Sequence, residues 1–258
     1  MTDHLSIWRT RARWFAAEFL VVVTGVLVAL ALNAMFQARQ DARNESRYLA
    51  LLGRDMEHTT AQLEEKAAFE AAQLQDGVAA YRALSASTRP EKPIEVSAAL
   101  SNLAVRRTVT LRDAAYEDLL ATGNLRLIRN RELRDDIVEY YGTTRAEFEI
   151  MNRNNSFYVD DLYTSFVVGK GLIKPGVVAS NLAVAAGVDA ELLALLRNGY
   201  VAEPDILWSL PASAPEWAQL KSTLLMRIRV AAASEQFAQQ ILQRTRELRA
   251  ALEAERKR

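Results

Sequence analysis

Residues able to carry chemistry are few in this chain, and their spacing keeps them apart. His4 and His58 are the only imidazoles and there is no cysteine, which excludes disulfides, thiolate metal sites, iron–sulfur clusters and cysteine nucleophiles. Three adjacent carboxylate pairs occur, Glu64 with Glu65, Asp135 with Asp136 and Asp160 with Asp161. Each would suit acid–base work only if both members faced one substrate, yet helical neighbours diverge by about 100° and point into different sectors. No Ser-His-Asp order, His-x-x-x-His pair or carboxylate–histidine cluster appears, so the usual triads and zinc sites are not indicated. The segment GKGLIKPG invites comparison with a phosphate loop and fails it: Gly171 follows Lys170 where Ser or Thr is needed, and the upstream glycine is missing. We therefore expect no enzymatic activity, no cofactor and no metal site. Nucleic acid is not expected as a partner either, because 32 basic and 32 acidic residues balance and give a polyanion no net attraction.

The polar residues that do share a face lie inside an apolar run. WFAAEFLVVVTGVLVALALNAMF contains only Glu18 and Asn33 as strongly polar side chains, and residues 15–36, as a helix, span about 33 Å against about 30 Å of hydrocarbon. One transmembrane helix is expected there. Glu18, Val22, Gly25, Ala29 and Asn33 recur at steps of four and three, which holds them within about 80° of arc. Gly25 and Ala29 would let a second helix approach closely, and Glu18 and Asn33 could hydrogen-bond across that contact. In the competing reading Glu18 reaches the headgroups near Trp14 and Arg11, at the positive end of the helix. Arg9, Arg11 and Arg13 ahead of an apolar stretch that ends Ala29-Leu30-Ala31 also resemble a cleavable signal peptide. Against cleavage, the apolar run continues through Leu32, Met35 and Phe36 directly into a helical pattern. Arg39, Arg43 and Arg47 balance the upstream arginines. The favoured orientation makes residues 1–14 a short cytoplasmic tail and places the following domain in the periplasm or outside the cell, because long domains translocate despite their charges.

Positioning falls to three long helices, predicted at about 37–87, 131–168 and 215–255 within a helical domain spanning 37–258. The first carries Leu52, Met56, Thr59, Leu63, Ala67, Glu70, Leu74, Val78 and Tyr81 at helical spacing, and meets no proline until Pro90. TRPEKPIEV is a turn, with a short helix expected from Ser97. Ala115, Tyr116, Leu119 and Leu120 form a short stripe ending at Gly123, and Asn130 is placed to cap the second long helix. That helix carries Leu133, Ile137, Tyr140, Thr144, Phe148, Met151, Asn155, Tyr158, Leu162 and Phe166. Its aromatic residues fit a helix–helix seam, and Tyr140, Tyr141, Phe148, Asn155 and Tyr158 are the alternative candidates for a ligand pocket. A short helix is expected at 189–198. The last helix opens on Pro215 and runs through Trp217, Leu220, Leu224, Ile228, Ala231, Ala238, Ile241, Thr245, Leu248 and Leu252. The fold class is thus all-α: an N-terminal transmembrane helix continuing into an elongated antiparallel bundle of three long helices with short connectors.

EFLVVVTGVLVAL, the YLALL helix start, and AYEDLLATGNLRLI with the later EYY resemble an uncharacterised bacterial family of single-span membrane proteins with an EFLLVVLGILIAL-type anchor. The matching pieces cover most of residues 14–141. The resemblance implies architecture and a bacterial inner-membrane location, and brings no activity or site residues. Asn33-Ala34 stands where that family tends to place Asn-Trp. Two functions are expected to compete. One is a membrane-anchored scaffold that associates with itself or with another membrane protein. The other is an extracytoplasmic ligand-binding, sensor-like bundle that signals through a membrane partner, since only about 14 residues precede the span.

Overall fold

The computed structural model describes residues 3–87, 90–172 and 206–258, with the side chains of Trp14 and of Glu18 onward; the short helix expected at 189–198 lies outside them. The protein is all-α, with no strand among the described residues. Helix α1 (Asp3–Ala86) is unbroken over 84 residues, about 126 Å at 1.5 Å per residue. It contains no proline, and interior glycines cost only about 1 kcal/mol each relative to alanine. The expected boundary near residue 36 is therefore a change of composition within one helix, with no change of backbone.

Helix α2 (Pro93–Asn102) begins four residues earlier than expected, on Pro93, where a missing N–H is harmless. A non-helical segment, 105–113, leads to α3 (Ala114–Ala121). Gly123, with φ 66°, turns the chain into a 3₁₀ turn at Asn124–Leu127, a conformation that favours glycine. Asn130 caps α4 (Arg131–Asn154), its side chain accepting from the Leu133 N–H at 3.2 Å. The helix expected to end at 168 is interrupted. Past Asn154 it widens into a π-helical stretch, Asn155–Thr164, before one last α turn, α5 (Ser165–Gly169). With i→i+5 bonds a turn takes more than four residues, so positions four apart line up. Asn155, Val159, Tyr163 and Val167 are buried, whereas Tyr158, Leu162 and Phe166, which an α-helix would have turned inward, are only half-buried. After a second 3₁₀ turn at Ile206–Ser209, α6 (Glu216–Arg256) runs for 41 residues.

Helices α1 and α6 pack along most of their shared length. Arg249 meets Glu57, Arg246 meets Glu64 and Arg227 meets Glu70. Helix α4 joins α6 through Tyr140 Oη and Thr245 Oγ1, 2.8 Å apart, and through the Arg244–Glu147 ion pair. Three apolar clusters stack along α1. The one nearest the apolar run holds Leu49, Leu52, Tyr116, Tyr141 and Leu252; the next holds Leu63, Phe148 and Ile241; the farthest holds Leu84, Leu100, Tyr163, Trp217 and Leu224. Threonines 59, 144 and 245 separate the first from the second. Charged residues separate the second from the third.

Candidate functional site

The first buried side chain along α1 is Glu45, and before it, among the described side chains, only Ala42 and Asn44 are even half-buried. Between Trp14 and Phe36, thirteen large apolar side chains are exposed, among them Phe19 at 64%, Leu27 at 59% and Phe36 at 71%. Burying one such side chain is worth roughly 1.5–3 kcal/mol, so leaving all of them in water forgoes some tens of kcal/mol. A domain's whole stability is about 5–15 kcal/mol, so nothing in the rest of the described chain compensates for that exposure. This is one helix near the N-terminus long and apolar enough to cross a membrane. Glu18, Gly25, Ala29 and Asn33 are exposed along it, and a side chain added at Gly25 would meet no atom within 4 Å. Thr24 satisfies its own hydroxyl by donating to the Leu20 carbonyl at 2.8 Å. The face expected to take a second helix is therefore uncovered by the rest of the described chain.

The five residues named for a pocket are distributed over different parts of the molecule. Tyr140 and Tyr141 belong to the cluster nearest the apolar run, where Tyr141 stacks on Tyr116 at 4.3 Å. Phe148 belongs to the middle cluster. Asn155 Nδ2 faces the Arg107 carbonyl at 3.4 Å, and Tyr158 packs edge-on against Phe157 at 4.9 Å. The neighbouring Asn152 holds both backbone groups of Val109, accepting from its N–H and donating to its carbonyl. The asparagines at the centre of this helix thus do backbone work for segment 105–113, whose N–H and C=O groups need partners once buried.

The most polar part of the interior was invisible to hydropathy. Lys66, Glu70 and Arg227 are each 0% exposed. Lys66 Nζ donates to Glu70 Oε1 at 2.6 Å and to the Arg107 carbonyl at 2.5 Å. Arg227 donates to Glu70 Oε2 at 3.4 Å, to Gln73 Oε1 at 3.0 Å, and to the Leu103 and Val105 carbonyls at 2.9 and 3.4 Å. Two cations share one carboxylate, and the carbonyls of Leu103, Val105 and Arg107 supply the remaining negative ends of dipoles. Burial pulls both the Lys66 ammonium and the Arg227 guanidinium below their usual ranges, and Glu70 pulls each back up. The network ties three elements together: α1, α6 and the segment that leaves α2. Its three charged side chains have no exposed surface, and among the described residues no cluster of His, Asp and Glu is suited to a metal ion. His58 is exposed and pairs with Gln62 at 2.6 Å.

A second buried carboxylate, Asp55, caps α3 across the fold by accepting from the Ala115 N–H at 3.2 Å. Helix N-termini favour an anion there. Burial nevertheless raises the Asp55 pKa above 3.8, outweighing the Ala115 N–H and Arg112, which lower it. A carboxyl whose folded pKa is raised contributes stability that is fully present below about pH 3.8 and is lost as pH rises through the folded value. Asp55→Asn keeps an acceptor for Ala115 and removes the titration. Urea midpoints of the two proteins, followed from about pH 7 down to about pH 4, should show the parent gaining on the variant as pH falls. A constant difference would mean that Asp55 titrates as it does in the unfolded chain.

Compared with known protein families, curated proteins and solved structures, the chain matches none.

Proposed function

We propose that this chain is a membrane-anchored helical interaction module without catalytic activity: a single-pass protein of the bacterial inner membrane. In this reading its domain is an elongated antiparallel bundle on the periplasmic side. The resemblance to single-span bacterial membrane proteins points to the same architecture. The observation that carries the proposal is the continuity of α1: the uncovered apolar stretch and the first helix of the bundle are one rod. Whatever grips the apolar half is coupled to the soluble half without a linker.

Glu18, Gly25, Ala29 and Asn33 form the gripping face, and the partner is a second copy or another membrane helix. Small residues permit close backbone approach, and polar groups in lipid gain by pairing across the contact. The burial of Tyr140, Tyr141 and Phe148 in two separate apolar clusters supports this reading over a ligand receptor. Proximity crosslinking in native membranes, with the captured proteins identified, tests it. Gly25→Leu and Asn33→Leu should each remove most of the crosslinked partner while leaving the bundle's thermal midpoint unchanged. An unaltered crosslinking pattern in both variants would show that the face is misassigned. A reporter fused to the C-terminus checks orientation, and a cytoplasmic signal would move the domain to the other side.

A further inference from the structure

We infer that the end of the bundle nearest the anchor is a docking surface for the anionic headgroups of the bilayer that the anchor crosses; this rests on the membrane reading above. Height along α1 decides which residues can reach that layer. Counted from Phe36, where the apolar run ends, Ala38 and Asp41 lie about 3 and 8 Å farther along the axis, within a headgroup layer about 5–8 Å thick. Ala38 and Asp41 line one hollow with Arg126, Leu127 and Arg129. The turn after α3, some ninety residues away in sequence, is thereby brought to headgroup depth.

The C-terminal end of α6 arrives at the same end of the bundle. Leu252 shares a cluster with Leu49, Asn130 donates to Glu255 at 2.9 Å, and the remaining residues, Arg256 to Arg258, continue toward the anchor. Arg129 and Arg258 are held by Glu45 and Glu255. Arg39, Arg43, Arg126, Arg256 and Lys257 are exposed and have no carboxylate partner among the described residues; Arg47, about 17 Å beyond Phe36, stands above the layer. Against these stand Asp41 and Glu132, carboxylates without a cation among the described residues, so the surface keeps a positive surplus although the whole chain is neutral. Arg256 and Lys257 also suit the negative end of α6, but Arg126 sits in a turn and has no such local reason. Basic residues held at a bilayer surface attract anionic lipid, and the tether keeps these within a Debye length of it.

The test uses the absence of cysteine. Met35→Cys gives the full chain a single labelling site near the domain end of the apolar run. The labelled protein is placed in lipid nanodiscs of phosphatidylcholine with about one quarter phosphatidylglycerol, bromine being carried by either lipid in turn as a contact quencher. Per molecule, brominated phosphatidylglycerol should quench about threefold better or more. Arg126→Glu with Arg256→Glu and Lys257→Glu should lose most of that preference at unchanged helicity and thermal midpoint, and high salt should erase it in the parent. These three lie far from the anchor in sequence, so their effect requires the folded end to rest on the headgroups. A preference that survives the triple reversal would overturn the inference and assign lipid selection to Arg39 and Arg43 alone. Failure of the chain to float with lipid at all would overturn the membrane reading together with it.

Discussion

Glu70→Gln is expected to destabilise the bundle by about 3–5 kcal/mol, the range for breaking a buried charge pair by removing one partner. Lys66→Met should cost far less, within about 1–2 kcal/mol. The asymmetry comes from the number of charges on each side. Glu70 is the sole carboxylate for Lys66 and Arg227 among the described residues, and all three are 0% exposed. Without it, two like charges remain in a layer where water cannot reach them. Without Lys66, one cation faces one carboxylate; the Arg107 carbonyl keeps only its longer contact with Asn155, at 3.4 Å, but a costly desolvation disappears as well. The double variant closes the cycle, and its coupling energy should be favourable by more than about 1 kcal/mol. Lys66 also supplies a pH signature. Its pKa is lowered by burial, so below about pH 10 the unfolded chain holds this proton more tightly than the native state does. Stability therefore rises with pH as the folded Lys66 releases it, and in Glu70→Gln the rise should be steeper and begin at lower pH. Urea unfolding of the full chain in detergent, followed by the fluorescence of Trp208 and Trp217, measures all of this. A smaller loss for Glu70→Gln than for Lys66→Met would show that the carboxylate does not hold the layer together.

That layer also shows where sequence reasoning stops. The first half of the α1 seam was legible because Leu52, Met56, Thr59, Leu63 and Ala67 are apolar or small at helical spacing, and all are buried. Beyond it, the steps of three and four pass through Lys66, Glu70, Gln73, Gly77, Ala80 and Leu84. Hydropathy prefers the adjacent track of Leu74, Val78 and Tyr81, which is only half-buried. Spacing alone puts Glu70 on the seam, but Lys66, one residue off it and four before a glutamate, has the pattern of an exposed helical ion pair. Only the arrival of Arg227 and three carbonyls from segment 103–107 makes burial of the pair tolerable. These partners lie 37 to 161 residues from Lys66 in sequence, and no local pattern announces them. On α6, likewise, Ile228 fits the apolar stripe, yet the fully buried residue is its neighbour Arg227.

The shift past Asn154 has a similar origin. Three asparagines in four positions signal something unusual in the middle of a helix, and a register-fixing role for Asn155 is consistent with its place on the stripe. What Asn152 and Asn155 bind is backbone from a distant segment, and the widening to π geometry turns the following stripe by one residue. The candidate association face rests on periodicity for the opposite reason. Its residues lie in a segment that contacts no other part of the described chain, so periodicity alone places them on the helix.

Gly77→Leu should cost about 1–3 kcal/mol, the range for overpacking, and Ile228→Ala should remove part of that cost. A Cβ built at Gly77 would lie 2.7 Å from Ile228 Cγ1 and 3.5 Å from Leu103 Cδ2, and the first of these is closer than carbon atoms approach without displacement. The clash is with the inner part of a branched side chain, which has little freedom to swing aside. Truncating Ile228 clears the space that the new leucine needs, so the two changes should be non-additive by about 1 kcal/mol or more. Gly53, on the same helix, is the control. Nothing lies within 4 Å of a Cβ there, and Gly53→Ala should stabilise by up to about 1 kcal/mol through helix propensity alone. Opposite signs for two glycines of one helix, together with rescue by Ile228→Ala, would fix the register in which α1 and α6 pass each other. Additive effects at positions 77 and 228 would mean that these residues are not in contact, and the pairing of the two helices would have to be redrawn.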